Sequence, residues 1–306
     1  MIRKISELIE LARRKEPMPI IACAGPDDSD SLESLRMALD AGIGQPLAVG
    51  RQRAIQTVAE TLGISLDGFE FYDVPDPKDA PAVATRLVHD GKASILMKGS
   101  VSTKSVIRAV LDSHAGLRSG RMLSHAALFD APALNKPVLV TDAGVNIRPN
   151  LSQKIEIVKN AVDVMQRLGL RRPLVAILAA IERVELPAMP ATLDAKLIEK
   201  MSAAGLLGDA IVQGPLALDD AVSPDVARSK GIGGPVAGRA DIVVAPEIET
   251  GNVLYKALTC FAEIDCAAVV WGAKVPIVVA SRADTARTKF LSISLASVLS
   301  GNTANQ

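Results

Sequence analysis

Aromatic side chains are scarce: one Trp, two Tyr and five Phe in 306 residues. Single-stranded nucleic acid is bound largely by stacking on such rings, so their scarcity argues against that partner. Charge of either sign is not in excess, since 34 Lys plus Arg face 34 Asp plus Glu. Nucleic-acid binding through a general positive field is therefore excluded, whereas a local anion site is compatible with the balance. Only three cysteines occur, Cys23, Cys260 and Cys266. They have neither the even count of a disulfide framework nor zinc-ligand spacing, and they read as small hydrophobes. The three histidines, His89, His114 and His125, accompany no G-x-S-x-G elbow, which leaves a Ser–His–Asp hydrolase unsupported. Long apolar runs are missing too: "CAAVVWGAKVPIVVA" is broken by Lys274 and Pro276 and falls short of a membrane span. The opening "MIRKISELIELARRKEP" carries charge throughout and reads as an amphipathic helix, not a signal peptide. These absences predict a soluble cytoplasmic protein with no membrane or nucleic-acid partner.

What is present is apolar mass. Hydrophobic residues make up 49% of the chain, enough for a large core, and the length suits two domains of about 100–200 residues each. Short Val- and Ile-rich runs begin at Pro19, Gln45, Ala93, Pro137, Pro173, Ala240 and Pro276. Several lack polar alternation, as strands covered on both faces do. Helical patterns separate them at 30–41, 51–62, 80–90, 152–168, 194–204 and 252–261. This alternation predicts an α/β fold with mostly parallel sheets. Ligands in such folds collect beyond the carboxyl ends of strands. That rule selects Gly25 to Asp28, Lys98 to Ser100, Asp142, Glu247 with Glu249, and Ser281 to Asp284.

Three stretches stand out at those ends. "LMKGSVSTKS" departs from the Walker A pattern, because Thr103 stands where Gly should precede Lys104-Ser105. Ser100, Ser102 and Thr103 still open a helix in an anion-friendly way, with Arg108 further along it; ordinary capping accounts for the same hydroxyls. "SKGIGGPVAGRAD" has four glycines, among them Gly238, and reads equally as a ligand-approaching backbone or a plain loop. In "APEIETGNVLYKAL" Asn252 is a good N-cap candidate, which puts Tyr255 and Lys256 in the first helical turn. A lysine there is electrostatically unfavourable and asks for an anion nearby. The most pointed stretch is "PIVVASRADTARTKF", where a buried run delivers Ser281, Arg282 and Asp284 to one place. Asp284 or Thr285 can cap the final helix. Arg282 has no intrahelical role and suits bidentate recognition of phosphate.

"PVAGRAD", "GNVLYK", "SRADTARTKFLSISLA", "LMKGSVSTKSVIRAVLD", "LSHAALFD", "MPATLDA" and "GPLALDDAVS" together resemble the phosphate acetyl/butyryltransferase family, especially its butyryl branch. The resemblance runs from about Ile95 to Ala296. It implies two α/β domains with an interdomain cleft, similar to isocitrate and isopropylmalate dehydrogenases, divided as 1–136 plus 285–306 and 137–284. It also implies a homodimer and no metal. The reaction it implies is the reversible transfer of a short acyl group, acetyl or butyryl, between coenzyme A and phosphate, with CoA a substrate and no other cofactor.

Carried over by position, Ser281 and Arg282 match a Ser-Arg pair near the reacting centre, with Asp284 the nearest acid. Arg108 matches an arginine that contacts phosphate or CoA. Ser100, Thr103, Gly238, Asn252, Tyr255 and Lys256 complete the expected phosphate and CoA contacts. The acetyl branch has its catalytic aspartate seven positions beyond the serine, where this chain has Thr288. Two other readings fit the fold. One is a metal- and NAD-dependent decarboxylating dehydrogenase, against which the poor dinucleotide pattern counts. The other is a non-catalytic CoA-binding protein.

Overall fold

The computed structural model describes residues 2–281 and 284–301. In chain order the elements begin with α1 Glu7–Arg13, β1 Ile20–Ala24, α2 Ser29–Asp40, β2 Gln45–Gly50, α3 Gln52–Leu62 and β3 Glu70–Asp73. Next come α4 Ala80–His89, β4 Ile95–Lys98, α5 Thr103–Val110, β5 Ser124–Ala131, β6 Lys136–Thr141 and α6 Leu151–Arg167. Then follow β7 Leu174–Leu178, α7 Pro190–Ala203, β8 Ile211–Leu216, α8 Leu218–Val222, α9 Pro224–Ser229 and β9 Ile242–Val244. The last four are α10 Ile248–Cys260, β10 Cys266–Trp271, β11 Ile277–Val278 and α11 Ala286–Leu299.

Two compact units share the chain. One takes Ser6–Arg121 with Ala267–Gln306, and the other Met1–Ile5 with Met122–Cys266. In the first, strands run in the order β3-β2-β1-β4-β11-β10, all pairs parallel except β10 with β11. In the second the order is β5-β6-β9-β7-β8, all parallel except the β5–β6 hairpin. The α/β, mostly parallel expectation holds. The expected break at 136–137 falls inside that hairpin, where Lys136 pairs with Ala131 and Pro137 with Asp130. At the other boundary, β11 pairs with β4, so the chain has rejoined the Ser6–Arg121 unit well before 285.

Local chemistry explains the element ends. Asp28 caps α2 by accepting from the Ser31 amide at 2.9 Å. Asn150 and Gln153 form a reciprocal capping box on α6, and Thr285 caps α11 through the Thr288 amide. Strands β4 and β10 are buried at every residue, which explains their lack of alternation. Helix α11 is likewise surrounded, with Phe290, Leu291, Ile293 and Leu295 all buried. Among the described residues no helix is long and apolar enough to cross a membrane.

Gly251 shows how tightly α10 sits on the end of β6. A Cβ there would lie 2.2 Å from the Asp142 carbonyl oxygen and 3.1 Å from the Ala143 Cα, and backbone cannot swing aside as a side-chain tip can. Gly251→Ala should therefore lower stability by about 1–3 kcal/mol, read as a reduced urea midpoint. An unchanged midpoint would refute the close approach.

Candidate functional site

In the Ser6–Arg121 unit the ends of β1 and β4 touch through two glycines. The Gly99 amide donates to Ala24 and the Ser100 amide to Gly25 at 2.7 Å. A Cβ on Gly99 would fall 2.1 Å from the Gly25 carbonyl oxygen, so only glycine fits. This contact carries Ser100 to Asp27, whose carboxylate accepts from the serine hydroxyl, with Arg51 3.9 Å from the same carboxylate. Ser102, rather than Thr103, caps α5. Thr103 is its first residue, and Arg108 lies exposed in its last turn.

Strand β11 ends where Val278 pairs with Met97 of β4, so Ser281 and Ser100, each three residues further on, leave the sheet at the same edge. The Ser281 amide donates to the Asp284 carboxylate at 2.7 Å, and the Asp284 amide donates back to the Ser281 carbonyl at 3.2 Å. Ser281 and Asp284 are thus bonded to each other twice, and both are half-buried. Arg282, the guanidinium that the sequence singles out, lies outside the described residues. Thr288 is occupied with the helix start: its amide and hydroxyl both meet the Thr285 hydroxyl, at 3.2 Å and 3.3 Å.

Two buried lysines stand at the same strand ends. The Lys98 ammonium donates to the Gly99 carbonyl at 3.0 Å. Lys289, in the first turns of α11, donates to Asp28 at 3.0 Å and to the Ser31 hydroxyl at 3.4 Å. Burial pushes the Cys23 thiol up and the Asp28 charge adds to it, so this thiol stays protonated and does not act as a nucleophile. For Asp28 itself burial works to raise the pKa, but bonds from Ser31 and Lys289 outweigh it and hold the carboxyl below its ordinary value.

Gly238, Asn252, Tyr255 and Lys256 belong to the other unit, and three of the four have packing roles there. Gly238 has φ +72 and its Cβ would meet Pro224 at 2.5 Å, while its amide bonds Asp220. The rest of that glycine-rich loop folds around Gln213, which bonds Gly233, Val236 and Ala237. Helix α10 starts at Ile248, earlier than the sequence predicts, with Glu247 at its N-cap. Asn252 is therefore inside the helix, donating to the Ala143 carbonyl at 3.0 Å, and Lys256 is exposed two turns in. The Tyr255 ring packs edge-on against His125 and Phe129. Asp142, also selected by the strand-end rule, is buried and accepts from the Gly144, Val145 and Asn146 amides, so it organises its own loop.

A pocket of about 990 Å³ opens in this unit at the ends of β7 and β9. Leu178, Met189, Leu218 and Val253 form its apolar wall, and Glu247 and Glu249, which the strand-end rule selects, line it too, whereas none of the residues matched to the family does. The buried Lys154, paired with Asp194 at 2.7 Å, is its inner charge. Among the described residues no group of three or more His, Cys, Asp or Glu is arranged to hold a metal ion. Asp28 and Lys289 escaped the sequence reading as a pair. The signal that finds them is a lysine early in a helix, applied to α11 instead of α10.

The profile of a family described as "Phosphate acetyl/butaryl transferase" matches residues 76–297. The chain is 40% identical to a phosphate butyryltransferase of Clostridium acetobutylicum, over 99% of this chain and 100% of that one. It is also 40% identical to a phosphate acetyltransferase of Rhizobium meliloti, over 96% of this chain and 93% of the relative. A crystal structure of a branched-chain phosphotransacylase from Enterococcus faecalis V583 superposes with TM-score 0.81 at 33% identity, covering 93% of this chain and 100% of that chain.

The Asp28 titration has a consequence for stability. A carboxyl whose native pKa lies below its unfolded value stabilises the fold at pH above that unfolded value, 3.8. The contribution fades as pH falls through the native pKa. Between about pH 5 and about pH 2 the wild type should lose more stability than Asp28→Ser, which keeps an N-cap oxygen. Parallel acid profiles of the two in denaturant melts would contradict the coupling.

Proposed function

Because the chain belongs to the phosphate acetyl/butyryltransferase family, we propose that it catalyses reversible transfer of a short acyl group, acetyl or butyryl, between coenzyme A and inorganic phosphate. The observation that carries the site assignment is the bond of 2.7 Å from the Ser281 amide to the Asp284 carboxylate. It presents a hydroxyl and a carboxylate together at the end of a buried strand, where ligands of this fold class gather.

The chemistry balances without a covalent enzyme intermediate. An oxygen of hydrogen phosphate attacks the thioester carbonyl, the C–S bond breaks, and the proton that leaves the phosphate ends on the CoA sulfur. In the reverse direction the thiol gives up its proton as it attacks acyl phosphate. Ordinary thiol and Asp pKa values differ by about 4–5 units, or roughly 6 kcal/mol uphill for that transfer. A hydrogen bond that steadies the thiolate and a cation beside the phosphate both reduce this cost. Ser281 is assigned to the sulfur, Asp284 to the proton, and Arg282 with Arg108 to the phosphate. Ser100 and Thr103 are assigned to further phosphate or CoA contacts, whereas Gly238, Asn252 and Tyr255, taken up by packing in the other unit, are given no such role. Holding both substrates for direct transfer supplies much of the remaining acceleration. The same reading takes CoA as a substrate, needs no metal, and places the enzyme in the cytoplasm as a homodimer.

The direct test is phosphate-dependent thiol release from acyl-CoAs running from acetyl to octanoyl. Acetyl- or butyryl-CoA should give the highest kcat/KM; no release with any of them would leave a CoA-binding protein instead. Ser281→Ala should lower kcat about tenfold to a hundredfold, as expected for losing a hydrogen bond of about 1.5–3 kcal/mol to a charged sulfur. Arg282→Ala should raise the phosphate KM by about tenfold or more. Normal phosphate dependence in that variant would remove the arginine from the site. Asp284→Asn at near-normal turnover would remove the proton carrier.

A further inference from the structure

The sheet edge that carries Ser100 also carries an arginine that the sequence reading did not single out. In the ladder Val49 of β2 pairs with Ala24 of β1, and Ala24 pairs with Lys98 of β4. Arg51 and Ser100 each stand two residues past that row, so they leave the sheet at one level. The strands are still in contact there. The Gly25 amide donates to the Val49 carbonyl at 2.8 Å, and the Ser100 amide donates to the Gly25 carbonyl at 2.7 Å. Asp27 joins the two side chains: it accepts from the Ser100 hydroxyl and lies 3.9 Å from the Arg51 guanidinium. Arg51, Asp27 and Ser100 thus form one polar row along the edge, and the strand next to β4 is β11, which leads to Ser281.

Nothing in the fold asks for an arginine at position 51. It is the N-cap of α3 and makes no side-chain capping bond. The first amide of that helix, of Gln52, donates instead to the Asp73 carboxylate at 2.9 Å. A cation at the start of a helix is disfavoured. Among the described residues the Arg51 side chain has one charged partner, Asp27, beyond hydrogen-bond distance, and half of the side chain is exposed. A pair of that length and exposure adds little to stability. It leaves the donors of the guanidinium available to a phosphate, which they can grip two at a time.

The strand order β2-β1-β4-β11 puts three strand spacings between β2 and β11, about 14 Å. With Ser281 assigned to the sulfur, the CoA thiol stands at the β11 end of this edge. From that sulfur about thirteen bonds of pantetheine lead to the first phosphorus, roughly 15 Å when extended at the 3.3–3.6 Å that three chain bonds span. A CoA laid along the edge therefore brings its diphosphate and its ribose phosphate to the β2 end. We propose that Arg51 binds a phosphate at the nucleotide end of coenzyme A and so fixes the substrate along the ends of β2, β1, β4 and β11. The proposal rests on the phosphate acyltransferase reading. Asp27 keeps the guanidinium on the side of Ser100, and one weak ion pair is given up when the phosphate binds.

The test measures phosphate-dependent thiol release by wild type, Arg51→Ala and Arg51→Lys from three thioesters: butyryl-CoA, its 3′-dephospho form, and butyryl-pantetheine, which lacks the nucleotide. Arg51→Ala should raise KM for butyryl-CoA by about tenfold to a hundredfold, with the phosphate KM within about threefold of wild type. Arg51→Lys keeps the charge without the planar fork and should fall between the two. Removing the nucleotide from the substrate should cost the alanine variant less than it costs wild type, by that same factor in kcat/KM. If the difference is already gone with the 3′-dephospho substrate, Arg51 holds the ribose phosphate. If it persists there and vanishes with butyryl-pantetheine, Arg51 holds the diphosphate. An alanine variant with wild-type KM for butyryl-CoA, or one whose loss is equal for all three thioesters, would overturn the role of Arg51. A wild type inactive with every thioester would instead overturn the acyltransferase reading.

Discussion

Gly99 has no room for a side chain, because the Gly25 carbonyl occupies the place a Cβ would take. The ends of β1 and β4 are consequently in backbone contact, and everything polar that these strands carry emerges around that contact. Strands buried on both faces cannot keep a charge along their length without a partner. Their sequences are therefore apolar up to the last residue and then change abruptly: Ala24 to Asp27, Met97 to Ser100, Ala280 to Asp284. Three neighbouring parallel strands, β1, β4 and β11, make that change at one edge. The density of hydroxyls, acids and amines there is a consequence of sheet packing before it is a consequence of chemistry.

The buried lysines follow the same logic in both units. Lys289 with Asp28, and Lys154 with Asp194, each put an ammonium near the start of a helix with a carboxylate beside it. Lys136 with Asp241 does the same at the edge of a strand. Such pairs break even at best against apolar packing, so they are poor devices for stability and good ones for register. In the Met122–Cys266 unit, Asp241 also accepts from the Leu174 amide at 2.8 Å, tying β6, β7 and β9 together at their beginnings. In the other unit the Lys289 pair works at the strand ends.

Seven strands were legible as apolar runs, and each missing strand has a physical reason. β3 reads Glu-Phe-Tyr-Asp and is an edge strand with one face in solvent, so it lacks the continuous run. β5 contains Ser, His, Ala, Leu, Phe and Asp with no β-branched residue, and in β8 the pair Ile211-Val212 is followed at once by Gln213, Gly214 and Pro215. β10 is apolar throughout but was masked by the neighbouring apolar stretch of β11. The site was legible where function follows strand ends and illegible where it depends on helix starts. Reading Asn252 as an N-cap placed Lys256 in a first turn. The actual cap, Glu247, offers no side-chain bond and so left no signature. The physical rule about early lysines was sound, and it applied to Lys289.

That shift of one rule from α10 to α11 bears on the proton problem. The position seven beyond Ser281, acidic in the acetyl branch, is Thr288 here, and its hydroxyl faces the cap residue Thr285 at 3.3 Å. An acid there would add negative charge to the first turn of α11, next to a lysine. In this chain that turn carries the cation instead, and the compensating carboxylate comes from α2. The acid left near the serine is Asp284, whose carboxylate accepts from the Ser281 amide.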